Sequence, residues 1–181
     1  MRVIIYLIGK PGIGKYTIAL ELAKFGFIIC DNQLINNPIF ALLNYNGFSK
    51  IPEIGWDAIR QIRAAVLGFI SKEQDHNYVL TNCLAENEGD RLLYSEVESM
   101  ALNRGSLFIP IKLLISKEKH LERITVLSRR DRWKTIDPEV IHDQVPLLSI
   151  IHPYYLKLNV SNLSPKSAAE QILIHIKKLT S

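Results

Sequence analysis

The sequence has little cysteine, no long apolar run and no clustered histidine, and each shortage removes a class of protein. Two cysteines, Cys30 and Cys83, cannot build a disulfide framework, so free thiols in a reducing, cytoplasmic setting are the expectation. No stretch approaches the ~20 apolar residues needed to cross a bilayer. The apolar residues behind Arg2 are too few for the core of a signal peptide, so no membrane partner is expected. The histidines, His76, His120, His142, His152 and His175, are scattered without the spacing of metal ligands or of a triad, and no metal-ligating residue is assigned. Internal repeats, low-complexity tracts and dividing linkers are also missing. A chain of 181 residues, 48% hydrophobic and 22% charged, suits one domain over 1–181 with a sizeable core.

Positive charge is in excess, but only locally. The net charge is +4. Between Lys117 and Lys134, seven cations (Lys117, Lys119, Arg123, Arg129, Arg130, Arg132 and Lys134) face three acids (Glu118, Glu122 and Asp131), which accounts for the whole excess. A basic face for nucleic acid would spread its charge. This concentration points to a local anion, and a nucleic-acid partner is disfavoured.

What the sequence does have is Gly9-Lys10-Pro11-Gly12-Ile13-Gly14-Lys15-Tyr16-Thr17, placed between an apolar run, Val3 to Ile8, and a helix-patterned segment, Thr17 to Phe25. A strand, a Gly-rich loop closing on Gly-Lys and a helix form the context of a phosphate loop. Glycines let successive N–H groups face one anion, and the helix start adds its positive end. Lys15 then lies against the outer phosphates of a nucleotide. The position after the lysine usually carries Ser or Thr, whose hydroxyl reaches Mg²⁺. Here it is Tyr16, whose oxygen lies at the far end of a ring. Thr17 follows, with two open readings: a phosphate contact, or a hydroxyl bonding its own backbone.

Further strands are expected at Phe27–Cys30, Tyr78–Thr81, Leu107–Ile115 and Tyr155–Val160. Helices are expected from Asn36-Asn37-Pro38 through Leu43, over about 53–70, over about 90–103, after Ser116 through Leu127, over about 138–149 and from Ser164-Pro165 onward. Alternating strands and helices predict an α/β fold: five parallel strands with helices on both faces, a three-layer α/β/α architecture. The helices over about 34–72 are more than a simple crossover needs, and read either as an insertion closing over an acceptor or as extra core cover. Glu86, Glu88 and Asp90 read as a solvated acidic loop in preference to a metal site. The third strand ends in Thr81-Asn82, where many phosphate-loop enzymes place an Asp that helps hold Mg²⁺.

Asp31 lies at the carboxyl end of the second strand, where ligands sit in open α/β sheets. It reads as a base for an acceptor hydroxyl or as a turn or cap residue. Arg129, Arg130 and Arg132, before Asp137-Pro138, read either as a solvated basic turn or, beside such a loop, as a lid over about 128–137 that can swing over phosphates, and the lid is the favoured reading. Arg123, on the helix leading in, can reach phosphate or base.

With these residues in place, the chain resembles the small phosphate-loop kinases that include chloramphenicol phosphotransferase, shikimate and gluconate kinases, and is more similar still to kinase-like ATP-binding proteins grouped with them. The matching parts are Gly9 to Thr17 with Ile18 to Ala23, then Asp31-Asn32-Gln33-Leu34-Ile35, then Ser128-Arg129-Arg130 with Lys134 and Asp137-Pro138, and Val160 to Pro165. Related kinases read Gly-x-x-Gly-x-Gly-Lys-x-Thr in the loop. The resemblance implies a phosphate-loop nucleoside triphosphate hydrolase fold, ATP and Mg²⁺, and an Asp after the second strand as base. Tyr16 and the missing third-strand acid are departures from the group.

The expectation is an ATP-dependent phosphotransferase acting on a hydroxyl of a small-molecule acceptor, as a monomer or homodimer. Lys15, Asp31, Arg129 and Arg130 form the expected catalytic set. Gly9, Pro11, Gly12, Ile13, Gly14, Lys15, Tyr16, Thr17, Arg123 and Arg132 form the expected nucleotide site. The alternatives are a nucleotide-binding module with weakened chemistry, favoured by Tyr16, and a 5′-hydroxyl nucleic-acid kinase.

Overall fold

The structure is a computed structural model that describes residues 2–47, 49–125 and 146–180. Arg129, Arg130 and Arg132, the expected lid over about 128–137 and the 138–145 part of the expected helix lie outside the described residues.

The first strand, β1 (Val3–Ile8), is buried at every position, as a continuous apolar run at the centre of a sheet should be. Its side chains alternate between two cores. Ile4, Tyr6 and Ile8 pack into one, and Val3, Ile5 and Leu7 into the other. Helix α1 (Lys15–Ala23) buries Ile18, Ala19 and Leu22, and Gly26, at φ 85°, turns the chain out of it. Strand β2 (Phe27–Asp31) then runs straight into helix α2 (Asn32–Leu42). The remaining elements are α3 (Glu53–Lys72), β3 (Asn77–Asn82), α4 (Glu88–Asn103), β4 (Leu107–Leu114), α5 (Lys117–Ile124), β5 (Leu156–Asn159) and α6 (Pro165–Thr180). Every strand pair is parallel, in the order β2-β3-β1-β4-β5. Helices α1 and α6 pack together and share a core with one face of the sheet; α2, α3 and α4 contribute to the core of the other.

Several boundaries differ from the expectation for local reasons. The helix expected from Asn36-Asn37-Pro38 begins at Asn32 instead, because the Asp31 carboxylate accepts a hydrogen bond from the Leu34 N–H (3.0 Å) and caps it. Pro38 thus falls inside α2, at an exposed position where water can serve the carbonyl left without its partner. Residues 146–149, expected at the end of a helix, are not helical. Leu147 forms an antiparallel bridge with Ala85, and the Leu148 N–H bonds the Leu84 carbonyl (3.0 Å). Lys112 of β4 holds this strap through the carbonyls of Leu147 and Leu148, both at 3.0 Å. The expected acidic loop is partly helix: Glu88 and Asp90 occupy the first turn of α4. Asp90 accepts from the Ala85 N–H (2.7 Å) and the Asn87 amide (3.0 Å), so it belongs to the helix start rather than to a solvated loop.

The end of the sheet away from the Gly-rich loop is locked by Arg104. Its guanidinium is fully buried and donates to the Glu73 carboxylate (3.0 Å), the Ser106 hydroxyl (2.8 Å), and the carbonyls of Glu73 and His76. Burial pushes the Glu73 carboxyl up, but hydrogen bonds from the Asp75 N–H and from His76 and Tyr78 outweigh it and hold the group down at about 2. A carboxyl lowered on folding lends stability that is present above its unfolded value, ordinarily 4.5, and lost as the pH falls toward about 2. Glu73→Gln should therefore lower the urea midpoint at neutral pH and flatten its decline across that acid window.

Candidate functional site

Parallel pairing sets the candidate residues on one edge of the sheet. Asp31 lies in register with Thr81, Thr81 with Leu7, and Asn82 with Ile8, the last residue before the loop. The Gly9 N–H bonds the Asn82 carbonyl (3.1 Å), which ties the start of the loop to β3. The base candidate and the loop strand are thus separated by one strand. At the usual strand spacing that is about 10 Å, a gap that suits a terminal phosphate and an acceptor hydroxyl side by side.

The loop itself turns on Gly12 (φ 83°) and Gly14 (φ 106°). Gly14 is the N-cap of α1, and no side chain caps that helix. An anion is the natural complement of such a start. Lys15 Nζ donates to the Gly9 carbonyl (2.5 Å) and the Lys10 carbonyl (3.0 Å), so its ammonium is drawn across the loop. The Thr17 hydroxyl donates to the Gly14 carbonyl (2.8 Å), the backbone-bonding geometry of its two readings. Ile13 is buried and packs close to Gly9.

Helix α5 grips the loop from outside. On one helical face, His120, Arg123 and Ile124 meet Pro11, Ile13 and Gly12. His120 is buried, and its Nε2 donates to the Pro11 carbonyl (2.5 Å), because a carbonyl can only accept. Arg123 donates to the Ile13 carbonyl (3.0 Å) and to the Val160 and Ser161 carbonyls beyond β5 (2.9 and 3.4 Å). Its guanidinium is therefore placed on backbone at the loop's flank. A Cβ on Gly12 would come within 3.0 Å of the Ile124 Cβ and 3.2 Å of its Cα. Gly12→Ala should cost about 1–3 kcal/mol, from left-handed backbone strain plus the displacement of α5, read as a shift in the urea midpoint.

Asp31 is 5% exposed, and its cap bond to Leu34 orients the carboxylate. Behind it, the Asn32 N–H bonds the Thr81 hydroxyl (3.3 Å), and the Asn82 amide donates to the Tyr6 hydroxyl (2.9 Å) inside the core. Burial raises the Tyr6 phenol well above its ordinary range, so it stays neutral. The strand end that carries an acid in many phosphate-loop enzymes is thus a neutral pair, Thr81 and Asn82, committed to the sheet and the core. No group of three or more His, Cys, Asp or Glu among the described residues could hold a metal ion. With Tyr16 beside Lys15 and the Thr17 hydroxyl turned to the backbone, the described residues do not fit a protein-held Mg²⁺.

Two side chains were not foreseen from sequence. His120 gave no local signal. Arg63 did: it falls four residues after Ile59 and three before Val66, a cation inside the apolar stripe of α3. The structure turns it inward, with Nη2 on the Asn32 side-chain carbonyl (3.2 Å).

No protein-family model matches the chain, and no curated protein matches it. Solved structures do. A kinase candidate from Chloroflexus aurantiacus is 16% identical with a TM-score of 0.64, covering 98% of this chain and 97% of its own. A gluconokinase from Sinorhizobium meliloti is 13% identical with a TM-score of 0.58, covering 100% and 99%. A shikimate kinase from Acinetobacter baumannii, solved with shikimate, is 17% identical with a TM-score of 0.54, covering 98% and 94%. At these identities the likeness shows the fold alone, shared with these kinases over nearly the whole chain: a five-stranded parallel sheet between helices. No described helix is long and apolar enough to cross a membrane.

Proposed function

We propose that this protein transfers the terminal phosphoryl group of ATP to a hydroxyl group of a small-molecule acceptor. The observation that carries the reading is the placement of a Gly-rich loop, spanned by Lys15, one strand away from the buried carboxylate of Asp31. The loop N–H groups and the start of α1 cradle the donor phosphates, and Lys15 leaves its carbonyls to neutralise the outer ones. Asp31 accepts the acceptor's hydroxyl proton as its oxygen bonds to the γ-phosphorus. The bond from phosphorus to the bridging oxygen breaks, and ADP leaves with that electron pair. Arg129 and Arg130 cover the charge on the transferred group, with Arg132 and Arg123 on the nucleotide side. Kinases of this fold that act on gluconate and shikimate support the small-molecule class.

A second reading, a nucleotide-binding module with weakened chemistry, draws on Tyr16 and the Thr81-Asn82 strand end. Label transfer from γ-labelled ATP into pooled metabolites, nucleosides and short RNAs separates the two. A labelled small molecule that disappears with Lys15→Ala and Asp31→Ala supports the kinase. No product, with ATP still raising the melting temperature, favours the module. Label in RNA alone would overturn the small-molecule reading.

A further inference from the structure

The Gly-rich loop is held from two sides. Lys15 holds the carbonyls of Gly9 and Lys10 from within it, and the proposed reaction draws that side chain away to the phosphates. Helix α5 holds two more carbonyls from outside. His120 Nε2 donates to the Pro11 carbonyl (2.5 Å), and Arg123 donates to the Ile13 carbonyl (3.0 Å). Both of these donors can stay in place with a ligand seated in the loop.

Each carbonyl held by α5 belongs to the peptide unit just before a glycine of positive φ, Gly12 at 83° and Gly14 at 106°. A trans peptide unit is planar, and its C=O and N–H point in opposite directions. With the Pro11 carbonyl drawn toward α5, the Gly12 N–H faces the other way. The Ile13 carbonyl does the same for the Gly14 N–H. Among the described residues, nothing accepts a hydrogen bond from either N–H. Glycine is what makes the hold necessary. It enters positive and negative φ about equally, so the peptide unit before it can turn over with little strain. A unit turned over would aim a carbonyl where an anion needs a donor.

His120 is well placed to keep its unit from turning. It is 3% exposed, on a helix that Gly12 approaches closely enough for a Cβ there to meet the Ile124 Cβ at 3.0 Å. The contact requires a proton on Nε2 but no charge.

We propose that His120 is a positioning residue for the nucleotide: by fixing the Pro11–Gly12 peptide unit, it keeps the Gly12 N–H aimed at the phosphates and so sets the affinity for ATP without touching it. The proposal rests on the reading of Gly9 to Thr17 as the nucleotide-phosphate site. Without the His120 donor, only a fraction of molecules present that N–H, and the apparent affinity falls in proportion to the fraction.

The test is titration calorimetry with ATP, alongside a urea midpoint for each ligand-free variant. His120→Phe keeps a buried ring and loses the donor. It should weaken ATP by about fivefold or more, the scale of one net hydrogen bond. His120→Gln places an amide N–H about as far from the backbone as Nε2, and should restore ATP affinity to within about twofold of the wild type, because a neutral donor suffices. His120→Asn stops short of the carbonyl and should resemble Phe. This amide pair carries the comparison if His120→Phe does not fold. Ser116→Ala is the control for stability alone. It removes the cap of α5, a bond from the Lys119 N–H, and should lower the urea midpoint while leaving ATP affinity unchanged. In label transfer, His120→Phe should raise the KM for ATP and leave kcat at saturating ATP within about twofold, as lost ground-state binding does.

Unchanged ATP affinity in His120→Phe, equal affinities in the Gln and Asn variants, or an equal loss in Ser116→Ala would overturn the proposal. The nucleotide reading is scored apart from it, by the ATP-induced melting shift of the wild type and its loss in Lys15→Ala. A shift that depends on Lys15 but not on His120 removes the positioning role alone. A wild type that does not bind ATP removes both.

Discussion

Lys15→Ala should abolish the rise in melting temperature that ATP produces in the wild type, and should lower any phosphoryl transfer by about 10³-fold or more. Lys15 has its ammonium drawn across the loop, through the Gly9 and Lys10 carbonyls. A transferring phosphoryl group spreads negative charge over its oxygens, and a fixed cation stabilises that charge most where water is excluded. The same substitution costs the ligand-free protein little. Its bonds to the Gly9 and Lys10 carbonyls at the rim of the loop are worth about 1 kcal/mol each. The two effects are therefore separable by differential scanning fluorimetry: a small change in the melting temperature without ATP and a lost shift with it. An undiminished ATP shift in Lys15→Ala would place the nucleotide elsewhere.

The second large effect concerns Asp31, and the structure supplies a cleaner test than truncation. Asp31 caps α2 through the Leu34 N–H, and its carboxylate is also the proposed base. Asn caps helices about as well as Asp but cannot accept a proton at neutral pH. Asp31→Asn should keep the wild-type melting temperature within a few degrees and lower turnover by about 10²-fold or more. Asp31→Ala should lose the same turnover and, in addition, about 1 kcal/mol of stability with the cap. The ATP-induced melting shift should survive in both. If Asp31→Asn turns over normally, Asp31 is a capping residue only, and the base lies elsewhere.

Much of this architecture is legible in the sequence because its determinants are local. The all-buried β1 announces itself as an apolar run, Gly12 and Gly14 mark backbone that other residues enter at a cost, and Ser116 caps the helix it was expected to cap, accepting from the Lys119 N–H. The expectation fails in two places, one through competing local signals and one through contacts distant in sequence. Pro38 resembled a helix start, yet the Asp31 cap won because it joins α2 directly to a strand already fixed in the sheet. At 146–149 the apolar pattern suited a helix, but those residues are held as a strap by Ala85, Leu84 and Lys112, none of them neighbours in sequence.

The sequence by itself determined the alternation of strands and helices, the Gly-rich loop with its lysine, and a carboxylate at the end of the second strand. Each depends on side-chain period, glycine dihedrals or capping, and these act within a few residues. Only the tertiary structure decided that β3 lies between β2 and β1, which sets Asp31 one strand from the loop. It also decided that His120 and Arg123 meet loop carbonyls 109 and 110 positions away, and that Arg63 turns inward toward Asn32, 31 positions before it. Contacts of that separation follow from how the layers close over the sheet. A pattern confined to one helix or one strand carries no record of which partner it will meet.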